Sequence, residues 1–347
     1  MAPEPWAAVV GLAKRDADVV ETGGFAGSTP LGSGAVEVYG TLTVTGQGGS
    51  LASFNTQNNV NNLILRPGST LNLDNTHVFA TNNPNGRLGD SAAITLDGAT
   101  FRINGSLTSP LVTETIGVVT ANKNATMALS QNLGPGAAVQ VAMQGLTRGA
   151  GGFLNVAPSL AANLDVSEIY SVIGGAANVT GGVATVNNGA NTILPVWMVN
   201  SVGNTFLTLS AQNTLTNVTY GATAATFVGA NNTTVFDANG VVTMAADGTV
   251  YALRTAANAI NGNFTLNIAG DSTHGSGWIA QGTAAVAPLV VFNNEADVFV
   301  AGAAILTLNN GFRVDNGNDL VKAGAGTLVL AGAGNITGNF YSNAGIL

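Results

Sequence analysis

Apolar and polar residues alternate with period two through most of this 347-residue chain. In "AVEVYGTLTVTG" (35–46), "NLILRPGSTLNLDN" (62–75) and "AITLDGATFRING" (93–105), two apolar positions one residue apart precede a glycine and two more follow it. Alternation sends successive side chains to opposite faces, so each phrase predicts a strand, a sharp corner and a second strand. The corner glycines Gly40, Gly68 and Gly98 stand roughly thirty residues apart, a spacing found in solenoid repeats. The pattern returns in "FLTLSAQN" from Phe206, "GTVYALRT" from Gly248, "NFTLNIAGD" from Asn263, "AILTLNNGFRVDNGN" from Ala304 and "GTLVLAGAGN" from Gly326. Gly, Asn and β-branched residues interrupt every helical pattern, and "SLAANLDVSEIYSVI" (159–173) is granted at most one or two turns.

Short strands with Gly and Asn corners fit either a β-solenoid, whose coils stack like on like, or a string of antiparallel β-sandwiches. Repeat spacing and the scarcity of Asn-Gly hairpin signals between long alternating runs favour the first. The fold expected is therefore all-β, a parallel β-helix with irregular coils, in which Asn-rich corners such as "QNNVNN", "GANNTT" and "FNNEA" ladder between coils. At about 25 residues per coil this would make about 14 coils and a rod roughly 65 Å long. "ILPVWMVNSVG" (193–203) gathers Pro195, Trp197 and Met198 in a chain poor in bulky groups. It is either a local packing plug or a seam, and as a seam it divides the expectation into an N-terminal segment 1–27 acting as a cap or inter-unit contact, a first solenoid segment 28–192 and a second 193–347 ending in the stretch 322–347.

Composition narrows the function classes. Only 8% of residues are charged, against roughly 25% in ordinary domains, so exposed faces must be built from Asn, Thr, Ser and Gly. A net charge of −8 with 10 Lys plus Arg removes the electrostatic basis for gripping nucleic acid or an anionic membrane. The absence of cysteine excludes disulfides, thiolate metal sites and a cysteine nucleophile. No apolar run approaches the roughly 18 residues of a membrane span, so no membrane insertion of this segment is expected. The start lacks a basic n-region, and Lys14, Arg15 and Asp16 break its apolar stretch. It does not read as a signal peptide, so the chain is either intracellular or a piece whose export signal lies elsewhere.

Candidate chemistry is sparse. Gly324-Ala-Gly326 and Gly332-Ala-Gly334 would need glycine at Val329 and Thr337, and a following helix, to cradle phosphate. Without them the glycines read as corners. His77 and His274 are the only histidines, and no Gly-x-Ser-x-Gly elbow exists. "THGSGW" could present His274 and Trp278 on a sugar-binding loop, or form an exposed turn with a packed Trp. "VDNGNDL" brings Asp315, Asn316, Gly317, Asn318 and Asp319 to a density that can hold Ca²⁺, yet an Asn-Gly turn explains it without metal. Asn104, Asn124, Asn178, Asn217, Asn263 and Asn335 open Asn-x-Ser/Thr triplets. No catalytic, cofactor or metal set is expected, and the chain does not read as an enzyme.

The last stretch, "KAGAGTLVLAGAGNITGNFYSNAGIL" (322–347), resembles the autotransporter-associated β-strand repeat. Lys322, Gly324, Gly326, Thr327, Leu328, Leu330, Gly332, Asn335, Thr337, Gly338, Ala344, Gly345 and Leu347 occupy its pattern places, with Ile336 where an aromatic is common and Ile346 where Thr is usual. The phrase that typically follows in that family, here "PLGSGAVEVYGTLTV", stands instead at 30–44, a circular shift. "TETIGVVTANKNATMAL", "VIGGAANV" and "VYALRTAANAINGNFTLNIAG" are similar to segments of large bacterial surface proteins carrying these repeats. The resemblance implies an extracellular parallel β-helix of passenger type and no particular activity. The expected function is a rod segment of a bacterial surface protein or fibre whose last coil stacks head-to-tail on the first coil of a like unit, either as tandem repeats in a longer polypeptide or between separate chains in a filament. The alternative is an adhesin segment binding host or matrix glycans through an exposed aromatic or charged stripe, and a β-helix carbohydrate enzyme stands third.

Overall fold

A computed structural model describes residues 36–45, 62–76, 86–224 and 226–347. The alternating phrases form two parallel sheets. One runs through Val36–Val38, Asn62–Leu65, Ala93–Asp97, Leu111–Asn122, Ala138–Arg148 and Glu168–Val172. The other runs through Thr41–Val44, Thr70–Asp74, Thr100–Asn104, Asn124–Ser130, Phe153–Pro158 and Met198–Asn200. Register keeps like on like: Leu42, Leu71, Phe101 and Met127 stand in one inward file, all buried. Each such side chain taken out of water contributes about 1.5–3 kcal/mol.

Between the paired strands the backbone turns through a left-handed residue: Gly68 (φ 76°), Gly98 (φ 68°), Lys123 (φ 51°) and Gly151 (φ 62°). Two of these are the corner glycines of the repeated phrase, while Lys123 holds the same corner despite its side chain. The far end of this first stack changes character. Thr205–Leu209 pairs antiparallel with Met198–Asn200, and Leu215–Asn217 antiparallel with Thr205–Leu209. The segment 159–173 contains only a 3₁₀ turn at Ala161–Asn163 before its strand begins.

From Ala222–Ala224 onward the chain winds a second, three-sided parallel stack. Its first side carries an inward file of Phe236, Leu253, Trp278, Val298 and Lys322. The same strands are buried on their outward face too: Ser276–Ala280, Ala296–Val300 and Leu320–Ala323 are buried at every position. The outward apolar residues Ile279, Phe299, Val321 and Ala323 belong to the same hydrophobic core as the first stack.

The contacts between stacks proceed backward along the first. Gly277 lies against Val196 and Phe206, Gln281 donates to the Asn204 carbonyl (3.0 Å), and Phe299 stacks on Phe153 (5.8 Å). Beyond these, Tyr341 sits against Gly151, and Asn343 donates to its carbonyl (2.7 Å). Later coils thus meet earlier strands, and the second stack folds back beside the first. This corrects the single 14-coil rod: two side-by-side stacks bury the outward apolar face that one rod would leave in water. The change of architecture falls between Asn217 and Ala222, later than the 192/193 division. Met198–Asn200, inside the expected seam, is the parallel partner of Phe153–Pro158 and still belongs to the first stack. The segment 1–27 lies outside the described residues.

Candidate functional site

The charged side chains that the fold concentrates lie at the joint between the stacks. Arg148 ends the strand Ala138–Arg148, Glu295 immediately precedes the strand Ala296–Val300 and Asp297 is its second residue, and both carboxylates reach Arg148. Arg148 Nη2 lies 2.7 Å from Asp297 Oδ1 and 2.5 Å from Glu295 Oε1, its Nε donates to the Gly152 carbonyl (2.6 Å), and its guanidinium stands 5.7 Å from the Trp197 ring centre. Trp197 is buried there. Glu295 Oε1 and Asp297 Oδ2 are buried and accept no hydrogen bond, the first being close to Arg148 without hydrogen-bond alignment. Burial pushes the Asp297 carboxyl up to about 8, with Arg148 opposing and Glu295 reinforcing the rise.

Beside this triad, Asp271 accepts from Tyr251 Oη (2.7 Å), from the backbone N–H groups of Thr273 and His274 (2.9 Å each), and meets His274 Nδ1 (2.7 Å). Burial raises the Asp271 carboxyl, but the bonds from Tyr251, His274 and Thr273 more than offset it and hold it below its ordinary value. Asp297 is 1% exposed, so this cluster fastens two bodies rather than meeting a substrate. Arg148 and Asp297 lie 149 residues apart, a pairing with no local signal. An acidic pair at strand spacing in a chain so poor in charge was the available clue.

Two other buried carboxylates act as backbone clamps. Glu114 accepts from the N–H groups of Arg87 (2.9 Å) and Leu88 (2.7 Å), and burial pushes its carboxyl up to about 8 against those bonds. Glu168 accepts from Gln131 N (2.8 Å), Ser159 N (2.5 Å) and Ser159 Oγ (2.5 Å). Each pins the loop that links one coil to the next.

The terminal coil explains its own motif. Lys322 takes an inward position and donates from Nζ to the carbonyls of Gly324 (2.6 Å), Gly326 (2.7 Å) and Ala344 (2.7 Å). It thereby ties its own corner to the start of the next coil. Burial pulls the ammonium down to about 8. Gly345 is left-handed (φ 75°), and a Cβ there would stand within 2.3 Å of Lys322 Nζ and 2.2 Å of the Gly326 carbonyl. "NAGIL" then pairs by Ile346 N to Gly326 O (3.2 Å) and Leu328 N to Ile346 O (3.0 Å). The glycines of this tail are corners and close approaches: at Gly324 a Cβ would lie 2.2 Å from the Val300 carbonyl of the coil beneath.

The other expected sites disperse. Trp278 is fully buried in the second stack, donating to Thr255 Oγ1 (3.1 Å), and His274 is buried at the joint. The sugar-binding loop reading of "THGSGW" is therefore corrected: neither ring faces solvent. Asp315 pairs with Arg313 (2.7 Å), while Asp319 accepts from Asn339 N (2.6 Å) in the next coil. Asn316 and Gly317 are both left-handed (φ 62° and 75°), the geometry of an Asn-Gly turn. Among the described residues, no group of three or more His, Cys, Asp or Glu is placed to hold a metal.

Asn side chains do bridge coils, on strands from Asn104 to Asn72 (3.1 Å) and from Asn155 to Asn124 (2.9 Å), and at two of the expected corners from Asn231 to Asn188 (3.3 Å) and from Asn294 to the Ala269 carbonyl (2.7 Å). His77 lies outside the described residues. The exposed aromatic residues among those described are Tyr39, Phe264 and Phe340, on three separate elements, and they form no stripe. No helix among the described residues is long and apolar enough to cross a membrane.

One open groove, about 550 Å³, lies at the edge of the first sheet between the strand Glu168–Val172 and the turn 210–214. Its lining includes Gln140, Asp165, Ser171, Ile173, Gln212 and Thr214, with no Lys, Arg or His. No family model, curated protein or solved structure matches this chain.

Proposed function

We propose that this chain is a structural β-solenoid segment of a bacterial surface protein or fibre that meets like units through the open edges of its coils. The observation that carries the reading is the terminal coil. Gly334–Ile336 and Phe340–Ser342 are the last strands of their sheets, and among the described residues nothing pairs with their outer edges. Ile346 and Leu347 stand 63% and 56% exposed beside them. Unpaired edges recruit further strands, and the Lys322 tie to Ala344 is a contact made between one coil and the next. The surface setting rests on the resemblance of 322–347 to the autotransporter-associated repeat.

Val36–Val38 and Thr41–Val44 are the first strands of the two sheets of the first stack, and among the described residues nothing pairs with their outer edges, while antiparallel strands occupy the opposite end of that stack. These edges are where like units would stack, either as tandem repeats in a longer polypeptide or between separate chains in a filament. Light scattering across a concentration series tests the reading. The wild-type chain self-associates, and an Ile346→Lys/Leu347→Lys variant stays monomeric because charge blunts an edge. A wild-type chain that remains monomeric at every concentration overturns it.

A further inference from the structure

We infer that the groove between the strand Glu168–Val172 and the turn 210–214 binds a neutral polyhydroxylated ligand, an oligosaccharide, independently of how units associate. Its volume of about 550 Å³ lies within the usual span of ligand clefts. Its chemistry is that of mixed donors and acceptors without a cation: the carboxamides of Gln140 and Gln212, the hydroxyls of Ser171 and Thr214, and the carboxylate of Asp165. An anionic ligand finds no positive partner in this set and one negative repeller. An apolar ligand would strip these polar groups of water without replacing their hydrogen bonds. A sugar hydroxyl both donates and accepts, which the exposed Gln212 carboxamide and the second carboxylate oxygen of Asp165 can satisfy, the Thr214 and Ser171 hydroxyls donating already to Asp165 and to the Val141 carbonyl. Ile173, 47% exposed, offers an apolar patch for the C–H face of a pyranose ring.

The walls are held rigid. Asp165 and Asn213 both sit in the left-handed region (φ 60° each), which Asp and Asn adopt more readily than other residues with a side chain. Asp165 Oδ1 accepts from Thr214 Oγ1 (2.5 Å), Thr214 bonds Ser210 (2.5 Å), and Val172 N donates to the Asn213 carbonyl (2.9 Å). A preformed wall spares a weak ligand the cost of ordering it. The groove also opens onto an uncharged strip of the first sheet. Gln140 stands in register between Thr113 and Ile169, and Ala142 between Thr115 and Ser171, so a chain of several sugar units has a neutral track to follow.

The test uses the full chain, isotope-labelled, titrated with maltotriose, cellotriose and N-acetylated chitotriose, with sialyllactose as an anionic control. The expected result is saturable shifts from at least one neutral trisaccharide, at amides of 140, 165–174 and 212–214, at about 10 mM, where a millimolar site is mostly filled. Gln212→Arg, on an exposed turn residue, should weaken that binding about tenfold or more with an unchanged melting temperature. Asp165→Asn keeps an acceptor for Thr214 and checks the carboxylate separately. The inference falls if none of the three neutral sugars shifts these amides. It falls equally if sialyllactose binds as tightly, or if Gln212→Arg binds like wild type. None of these readouts depends on self-association.

Discussion

The joint between the stacks makes stability depend on the proton of Asp297, and the sign can be worked out. The folded carboxyl is raised from 3.8 to about 8 by burial, with only Arg148 to stabilise its ionised form and Glu295 competing for that same guanidinium. A group whose folded value lies above its unfolded one lends stability fully below the unfolded value, and loses it as pH rises toward the folded value. Each unit is worth about 1.36 kcal/mol, so between about pH 5 and about pH 8 wild-type stability falls by an upper limit of about 4 kcal/mol from this group. Glu114 is raised in the same direction, so the wild-type curve alone does not isolate Asp297. Asp297→Asn does: it keeps shape and an acceptor for Arg148 while removing the titration. Urea unfolding should show the variant losing markedly less stability than wild type across that window, with the fluorescence of Trp197 at the joint as one signal. Lys322 titrates at about 8 with the opposite sign above that value, which sets the upper limit of the range. Equal pH slopes for the two proteins would refute the reasoning, and so would a variant whose deficit widens toward high pH.

Three further outcomes follow from the geometry. Lys322→Met removes three charge-assisted bonds to carbonyls, each worth roughly 1.5–3 kcal/mol, and should speed hydrogen exchange at Leu328 and Ile346 by at least about tenfold while leaving the first stack protected. Lys123→Gly relieves a left-handed corner held by a side-chain residue at the loss of an exposed ion pair to Asp97 (2.9 Å); a gain of about 0.5–1 kcal/mol is expected in thermal unfolding. Phe153→Ala deletes a fully buried ring stacked on Phe299 between the two bodies and should destabilise by about 3–5 kcal/mol, with the loss read as a lower urea midpoint.

Much of the fold is legible locally because strand formation and corner chemistry are local. The inward files read off the alternation directly: Leu42, Leu71, Phe101 and Met127 are each flanked by polar or small neighbours whose side chains point the other way. Gly68 and Gly98 announce left-handed corners, whereas Lys123 shows that register can impose the same corner on a residue that disfavours it. The spent alternation at 276–280 and 296–300 carried a second message. In a one-stack rod, Ile279 and Phe299 would face water, so strands apolar on both faces require a second layer. What that layer is cannot be read locally, since Phe153 and Arg148 meet their partners about 150 residues on. The groove is illegible for the same reason: Gln140, Asp165 and Gln212 lie on three distant segments, none of them with a motif.

The joint holds a buried cluster of three of this chain's few charges. The exposed pairs Arg66–Glu37, Lys123–Asp97 and Arg313–Asp315 contribute little in water. Arg148, Glu295 and Asp297 stand instead where two apolar sheet faces meet, a surface that is otherwise tolerant of sliding because Val, Ile, Phe and Ala offer no directional contact. A bonded guanidinium permits only the placement that keeps its partners paired, since leaving a buried charge alone costs several kcal/mol. Phe153 against Phe299 then supplies attraction, and Arg148 fixes how far back along the first stack the second one lies. Replacing Arg148, Glu295 and Asp297 together by apolar residues of similar size would accordingly leave unfolding free energy nearly unchanged or higher, while loosening register. Broadened amide signals at Gly151, Tyr341 and Asn343 without a lowered melting temperature are the expected signature. A sharp spectrum with intact contacts at those residues would mean that shape alone holds the alignment.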